Sequence, residues 1–297
     1  MSLLYYLIEL NLYLILFYGF YYLFLRNERH FNHNRWFLLG SLISSFLIPL
    51  IKLDWLKNDS LSTFSASTTI TLNEIVINTQ QQHFFIEGFF SFLYSYFWVI
   101  LYCIGAFAMI LKLLISIRSI YKTIKDCPRE IKDGYTEVSL SNPDEAFSFG
   151  RFLCIGNKST LPIYRHELAH INQKHYIDLW TVETVSIICW FNPVHLLYRR
   201  SIKITHEYLA DAEVCTEINA VDYAETLVSN LFQTNTNLLT HSFYTPRNLK
   251  NRLIMLKKNT SSKWALYKYS MTLPLCLSFI FISSSAFISK QNIQDLS

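Results

Sequence analysis

His166-Glu167-Leu168-Ala169-His170 is the stretch that decides how this chain is read. On a helix its two histidines lie four residues apart and share one face. Two imidazoles so placed can hold one zinc ion, and Glu167 between them can act as general base on a water at that metal. The five residues alone also occur by chance on ordinary helices, so a third ligand must come from elsewhere in the chain.

It comes from His206-Glu207-Tyr208-Leu209-Ala210-Asp211. A catalytic zinc keeps three protein ligands and one open position. Glu207, on a second helix, is the natural third ligand. Asp211 stands one turn on, placed to accept the other ring N–H of a zinc-bound histidine and so fix its tautomer. His206 competes as ligand but points about a quarter-turn away from Glu207. The expected site is therefore His166, His170 and Glu207 on the metal, Glu167 as catalytic base and Asp211 behind them. His206, Tyr208 and Arg199 are candidates for stabilising an oxyanion.

The composition says where such a site sits. Hydrophobic residues make up 51% of the chain and charged ones only 16%, against about a quarter in ordinary domains. That is the composition of a membrane protein. The net charge of +4 gives no case for nucleic acid as a partner. The six cysteines form no CxxC pair and read as reduced and structural.

Four apolar runs, about 3–25, 36–53, 89–117 and 269–288, are expected to be transmembrane helices. The last is diluted by Pro274 and Ser283-Ser284-Ser285. The first lacks a basic start and a cleavage site, so it does not read as a removable signal. Arg26, Arg29 and Arg35 lie between the first two runs, and 19 of the 26 Lys and Arg residues fall between Arg118 and Lys268. By the positive-inside rule these two segments are cytoplasmic, and the N-terminus, the loop 54–88 and the C-terminal tail are external. The expected organisation is thus 1–117 with three spans and an external loop, 118–268 as a cytoplasmic zinc peptidase domain, 269–288 as a fourth span and 289–297 as a tail. Thr68–Ile77 in the external loop alternates weakly, as a strand would.

Within the cytoplasmic segment, Thr136–Leu140 and Ala146–Ile155 read as strands about an Asn142-Pro143-Asp144 turn. Phe147-Ser148-Phe149-Gly150 is a candidate edge for binding a substrate backbone by strand addition. Pro162 opens the zinc helix. His175 and Asp178 read as groups behind the metal or on the surface. Leu179–Trp190 is apolar but short and interrupted by Glu183, which suits a buried or membrane-dipping helix. A last helix after Thr245-Pro246 carries Lys250, Arg252, Lys257 and Lys258 on a basic face, solvated or at anionic headgroups, with Leu249, Leu253, Ile254 and Leu256 on the other.

These residues resemble a known family. HELAH (166–170), KHYIDLW (174–180), WFNPVHLLYRR (190–200) and HEYLAD (206–211) look like the membrane metallopeptidases of the BlaR/MecR antirepressor type, in a Bacteroidetes-like version. The likeness extends to Ala146–Gly150, to Leu249–Leu256 and to Arg26…Asn34-Arg35. It implies a mainly α polytopic membrane protein: four transmembrane helices around a cytoplasmic α+β zincin-like (gluzincin) domain in the bacterial inner membrane. It implies zinc on His166, His170 and Glu207, with Glu167 as base. It also implies a cytoplasmic repressor-like protein as substrate, self-cleavage in some members, the lipid bilayer as surroundings and room for a homodimer. About nine residues follow Ile288, with no SxxK signature among them. These residues give no support for a C-terminal penicillin-binding sensor: either a signal enters through the loop 54–88 or a partner, or the sequence is a piece of a longer chain. An HtpX-type membrane quality-control protease is the alternative, since it shares HExxH and a later ExxxD. A receptor with a vestigial site is disfavoured by the intact Glu167.

Overall fold

Leu3 to Leu25 carries one charge, Glu9, and where water is excluded such a stretch can satisfy its backbone only as a helix. In a computed structural model, described over residues 3–51, 84–233, 246–258 and 264–294, it forms α1 (Leu3–Phe20) and runs on through one π-helical turn, Tyr21–Leu25. The next helix is α2 (Phe31–Leu47), ended by a 3-10 turn at Pro49. The long helix α3 (Phe84–Lys125) follows, and the chain ends in α9 (Ala265–Ser270) and α10 (Thr272–Gln294).

Among the described residues three helical stretches, against the four expected, are long and apolar enough to cross a membrane: Tyr5–Leu25, Tyr96–Lys125 and Ala265–Ser284. The run 36–53 falls short because α2 is only 17 residues long and carries Asn34, Gly40, Ser41, Ser44 and Ser45. Its polar groups are spent on protein: Ser45 bonds the Ser41 carbonyl at 2.8 Å, and Ser41 bonds the Tyr198 hydroxyl at 3.1 Å. Polar groups inside the apolar helices also pair with each other, as a low-dielectric setting requires. Ser283 donates to Glu9 at 3.1 Å, and Tyr13 donates to the Phe279 carbonyl at 3.2 Å. Tyr13, Phe17, Ile48 and Phe279 make a small core between α1 and α10. The loop residues 54–83, with the expected strand Thr68–Ile77, lie outside the described residues.

Between α3 and α9 lies a small sheet with five helices. The strands are β1 (Arg129–Lys132), β2 (Tyr135–Ser139), β3 (Ala146–Phe149) and β4 (Phe152–Ile155), in the order β1-β2-β4-β3. Here the reading of Ala146–Ile155 as one strand is corrected. The run folds back on itself at Gly150, whose φ of +61° suits glycine, so that Phe149 pairs with Phe152. β2 then pairs with β4 in parallel, and β1 was not anticipated at all. The arrangement leaves β3 as an edge strand beside the next helix.

The helices are α4 (Leu161–Asn172), α5 (His175–Ile188), α6 (Val194–Val214), α7 (Ala220–Gln233) and α8 (Pro246–Lys257). α4 begins with Pro162 in its first turn, where a missing N–H costs little. Lys174, in the left-handed region at φ 53°, turns the chain sharply into α5. One core joins α1, α2, α5 and α6 through Leu10, Leu14, Leu38, Leu42, Val182 and Tyr198. A second joins α6, α7 and α8 through Val214, Tyr223, Leu227 and Leu249. α6 belongs to both, so it fixes the domain helices against the apolar ones.

Candidate metal centre

α4 and α6 pack against each other and carry the two motifs on facing sides. His166, His170 and Glu207 come together there, each with one ligand atom within 4.8 Å of the others. The two Nε2 atoms are 3.3 Å apart, and Glu207 carboxylate oxygens lie 3.4 Å from His166 Nε2 and 3.7 Å from His170 Nε2. A tetrahedral zinc with ligands at about 2.0–2.2 Å sets ligand–ligand edges of about 3.3–3.6 Å. The donor set and its spacing therefore fit such an ion. His166 is buried, while His170 and Glu207 are half-buried, so the cluster is open on one side.

The outer ring nitrogens are also committed, in a way that leaves both Nε2 lone pairs facing inward. His166 Nδ1 lies 2.9 Å from the Tyr223 hydroxyl, which donates to Asp211 Oδ1 at 2.7 Å. Asp211 Oδ1 itself is 3.3 Å from His166 Nδ1, so Tyr223 is the nearer acceptor. On the other side His170 Nδ1 meets His175 Nδ1 at 2.7 Å, and His175 Nε2 meets Gln173 Oε1 at 3.1 Å. The consistent assignment has His170 donating to His175 and His175 donating to Gln173.

Two arginines close this network. Arg252 of α8 binds Asp211 through Nε at 2.9 Å and Nη2 at 2.5 Å, and its Nη1 lies 3.0 Å from Glu207. Arg35 of α2 binds Asp178 through Nε at 2.6 Å and Nη2 at 3.1 Å. Asp178 accepts in turn from His206 Nε2 at 2.7 Å, and the His206 ring stacks on His175 at 4.0 Å. The reading of Arg252 as part of a solvated or headgroup-facing surface is thus corrected: it is buried. Its place in the stripe Leu249, Arg252, Leu253, Leu256 was the available signal, because a cation at core spacing needs a buried anion. Arg35, read from sequence as a topology signal and as part of the family likeness, is a partner of the site. Tyr223 had no sequence signal beyond its own helix.

The three oxyanion candidates are engaged elsewhere. His206 is spent on Asp178, Tyr208 packs its ring on Phe31 at 5.2 Å, and Arg199 pairs with Glu183 at 2.6 Å. Glu167, half-buried on α4, instead meets the edge strand: Ser148 donates to its Oε2 at 2.8 Å. Ser148 lies within the expected substrate edge, on β3.

Electrostatics agree with the donor geometry. Burial and the Arg252 charge work against a proton on His166, yet Asp211 and Glu207 outweigh them and lift it to about 9. Burial and the neighbouring His166 hold His170 down at about 3. Glu207 resists burial because Arg252 and His166 pull it well below the usual carboxylate range. A neutral imidazole and an ionised carboxylate around a point that favours positive charge are what a divalent cation needs. Glu167 goes the other way: burial raises it above the ordinary range, against the opposing pulls of His166 and of the Ser148 hydroxyl.

Comparison with known proteins agrees with this site. Residues 157–256 match the model of the family described as BlaR1 peptidase M56. Over 152 residues the chain is 29% identical to the regulatory protein BlaR1 of Staphylococcus aureus, covering 48% of this chain and 26% of that relative. The match thus spans about a quarter of the curated relative's length. The region from α4 to α8, which holds every residue of the candidate metal cluster, is thus the part of this chain that is similar to the BlaR1-type peptidases.

Proposed function

We propose that the chain is a membrane-embedded zinc metalloendopeptidase of signal transduction. It would hydrolyse peptide bonds of a cytoplasmic protein, a transcriptional repressor by family likeness, and also its own chain. The observation that carries this reading is the His166–His170–Glu207 cluster with Glu167 on the same helix, bonded to an edge strand. The four crossings, with α2 among them, the cytoplasmic domain 118–268 and the external termini belong to the same proposal. Its support is the charge asymmetry together with three helical stretches of sufficient length and apolarity.

Zinc held by His166, His170 and Glu207 would supply Lewis acidity, making a water more acidic and a carbonyl more electrophilic. Glu167 takes the proton of the attacking water and hands it to the nitrogen of the leaving amine, so the C–N bond breaks as a neutral amine departs. Its raised pKa suits both halves of that transfer. Tyr223 and His175 hold the two imidazoles at a fixed tautomer. The substrate chain would lie along β3, whose outer edge has no strand partner among the described residues.

Glu167→Gln tests the assignment. It should retain the bound metal, measured by elemental analysis of the purified chain, while cut sites present in wild-type cells vanish from the mutant's proteome. Cutting that persists in Glu167→Gln would remove Glu167 as the base. The vanished sites would name the substrate and separate a single repressor from the many misfolded targets of a quality-control protease.

A further inference from the structure

α5 and α6 form an antiparallel hairpin joined by Cys189-Trp190-Phe191-Asn192-Pro193. Its base is at the metal cluster, where Arg35, near the start of α2, reaches Asp178 and the Gln173 carbonyl. Its tip lies far along two apolar helices. Asn192 donates to Asn11 at 2.5 Å, Tyr102 donates to the Ile188 carbonyl at 2.8 Å, and Trp190 Nε1 donates to the Tyr102 carbonyl at 3.2 Å. Asn11 and Tyr102 stand inside the stretches Tyr5–Leu25 and Tyr96–Lys125. At 1.5 Å per residue they lie about 22 Å and about 24 Å from the basic ends Arg26 and Arg118, and α5 itself is about 20 Å long. Three separate segments thus give one depth, past the middle of a hydrocarbon core of about 30 Å.

The tip is built for such a place. Non-helical backbone survives at membrane depth only where protein satisfies it. Asn192 N–H bonds the Cys189 carbonyl at 2.9 Å, and Asn192 Oδ1 accepts from Val194 N–H at 2.9 Å. Gly105 admits the Trp190 ring against α3, since a Cβ there would fall 2.2 Å from ring carbon. The outward residues Trp180, Phe191 and Leu196 are exposed and apolar. The charges on the hairpin are accounted for: Glu183 pairs with Arg199, while Arg200 and Lys203 lie within two turns of Glu207 and have stems long enough to return their charge to the boundary.

We propose that the α5–α6 hairpin is a re-entrant membrane element, its Phe191 and Leu196 facing lipid acyl chains, so that the metal cluster opens at the bilayer boundary. This rests on the reading that α1 and α3 cross the membrane. The test uses the full chain in lipid nanodiscs, where water reaches both faces. Cysteines are introduced one at a time and labelled with a water-soluble maleimide, above the background of the native six. Lys158→Cys, on an exposed loop, should label readily. Leu114→Cys on α3, Phe191→Cys and Leu196→Cys should all label at least about ten-fold more slowly, since thiolate and reagent both need water. Labelling of Phe191→Cys and Leu196→Cys at the Lys158→Cys rate, with Leu114→Cys protected, overturns the hairpin proposal and leaves the crossings standing. Labelling of Leu114→Cys as well overturns both. A disulfide-linked dimer through Leu196→Cys also overturns it, because a second copy would then cover this face in place of lipid.

Discussion

Two arginine–aspartate forks, each on a buried aspartate, flank the metal cluster, and they are alike in geometry but unlike in reach. Arg252–Asp211 touches the cluster directly: Arg252 lies 3.0 Å from Glu207, and Asp211 stands behind His166 with Tyr223 between them. Arg35–Asp178 touches it at one remove, through His206 stacked on His175, which bonds His170. The first arginine comes from α8, inside the matched peptidase region, and the second from α2, outside it. One fork therefore neutralises the site, whereas the other fastens it to the helices near the membrane. A buried carboxylate left without its cation is strongly destabilising, so the two can be told apart by what remains when each arginine is removed.

The largest effect belongs to Arg252→Met. It strands Asp211 and brings Glu207 back towards protonation, with the His166 imidazole left beside them in place of a permanent cation. Loss of about 3–5 kcal/mol of stability is expected, together with most of the bound metal. Thermal unfolding and metal content of the purified chain measure both. A variant that kept its metal would show that Arg252 only packs α8.

Arg35→Met should cost less, about 2 kcal/mol, because His206 still donates to Asp178. Its metal content should stay near wild type while its thermal midpoint falls. Asp178→Asn in the same chain should recover part of that loss, a coupling that a double-mutant cycle reads directly. Equal losses of metal in Arg35→Met and Arg252→Met would erase the distinction between the forks.

What was legible in the sequence divides along the same line. The candidate ligand set is spelled out by motif spacing within α4 and α6, and HExxH with Glu207 and Asp211 needs no tertiary knowledge to be found. The apolar runs of α1 and α3 are equally local. The forks are long-range: Arg35 meets Asp178, and Arg252 meets Asp211, only after α2 and α8 have docked on α5 and α6. A basic residue near the end of an apolar run obeys the positive-inside rule whether or not it also has a partner, so Arg35 offered no reason to look further. Arg252 did offer one, being at core spacing between Leu249 and Leu256. The sheet failed for a different reason. Ala146–Ile155 alternates like one strand, and only the positive φ at Gly150 marks the reversal that makes β3 an edge.

The smallest and sharpest test compares the two hydrogen bonds that join the forks to the imidazoles. Tyr223→Phe removes the hydroxyl between His166 and Asp211 but leaves Asp211 Oδ1 3.3 Å from Nδ1, close enough to accept the ring proton after a slight shift. His175→Phe removes the acceptor of His170 Nδ1–H and puts an apolar ring in its place. Outer partners of metal-bound histidines are typically worth about 10–100-fold in metal affinity. Tyr223→Phe should fall at or below the lower end of that range and His175→Phe towards the upper end, measured by competition with a chelator of known affinity. The order matters more than either value, because it reverses the order of the arginine variants. The Arg252 side holds the charge of the site and has a spare acceptor, while the Arg35 side holds no charge of the cluster but supplies the acceptor that orients His170. Should Tyr223→Phe prove the weaker binder, the hydroxyl rather than Asp211 would be the group that fixes His166.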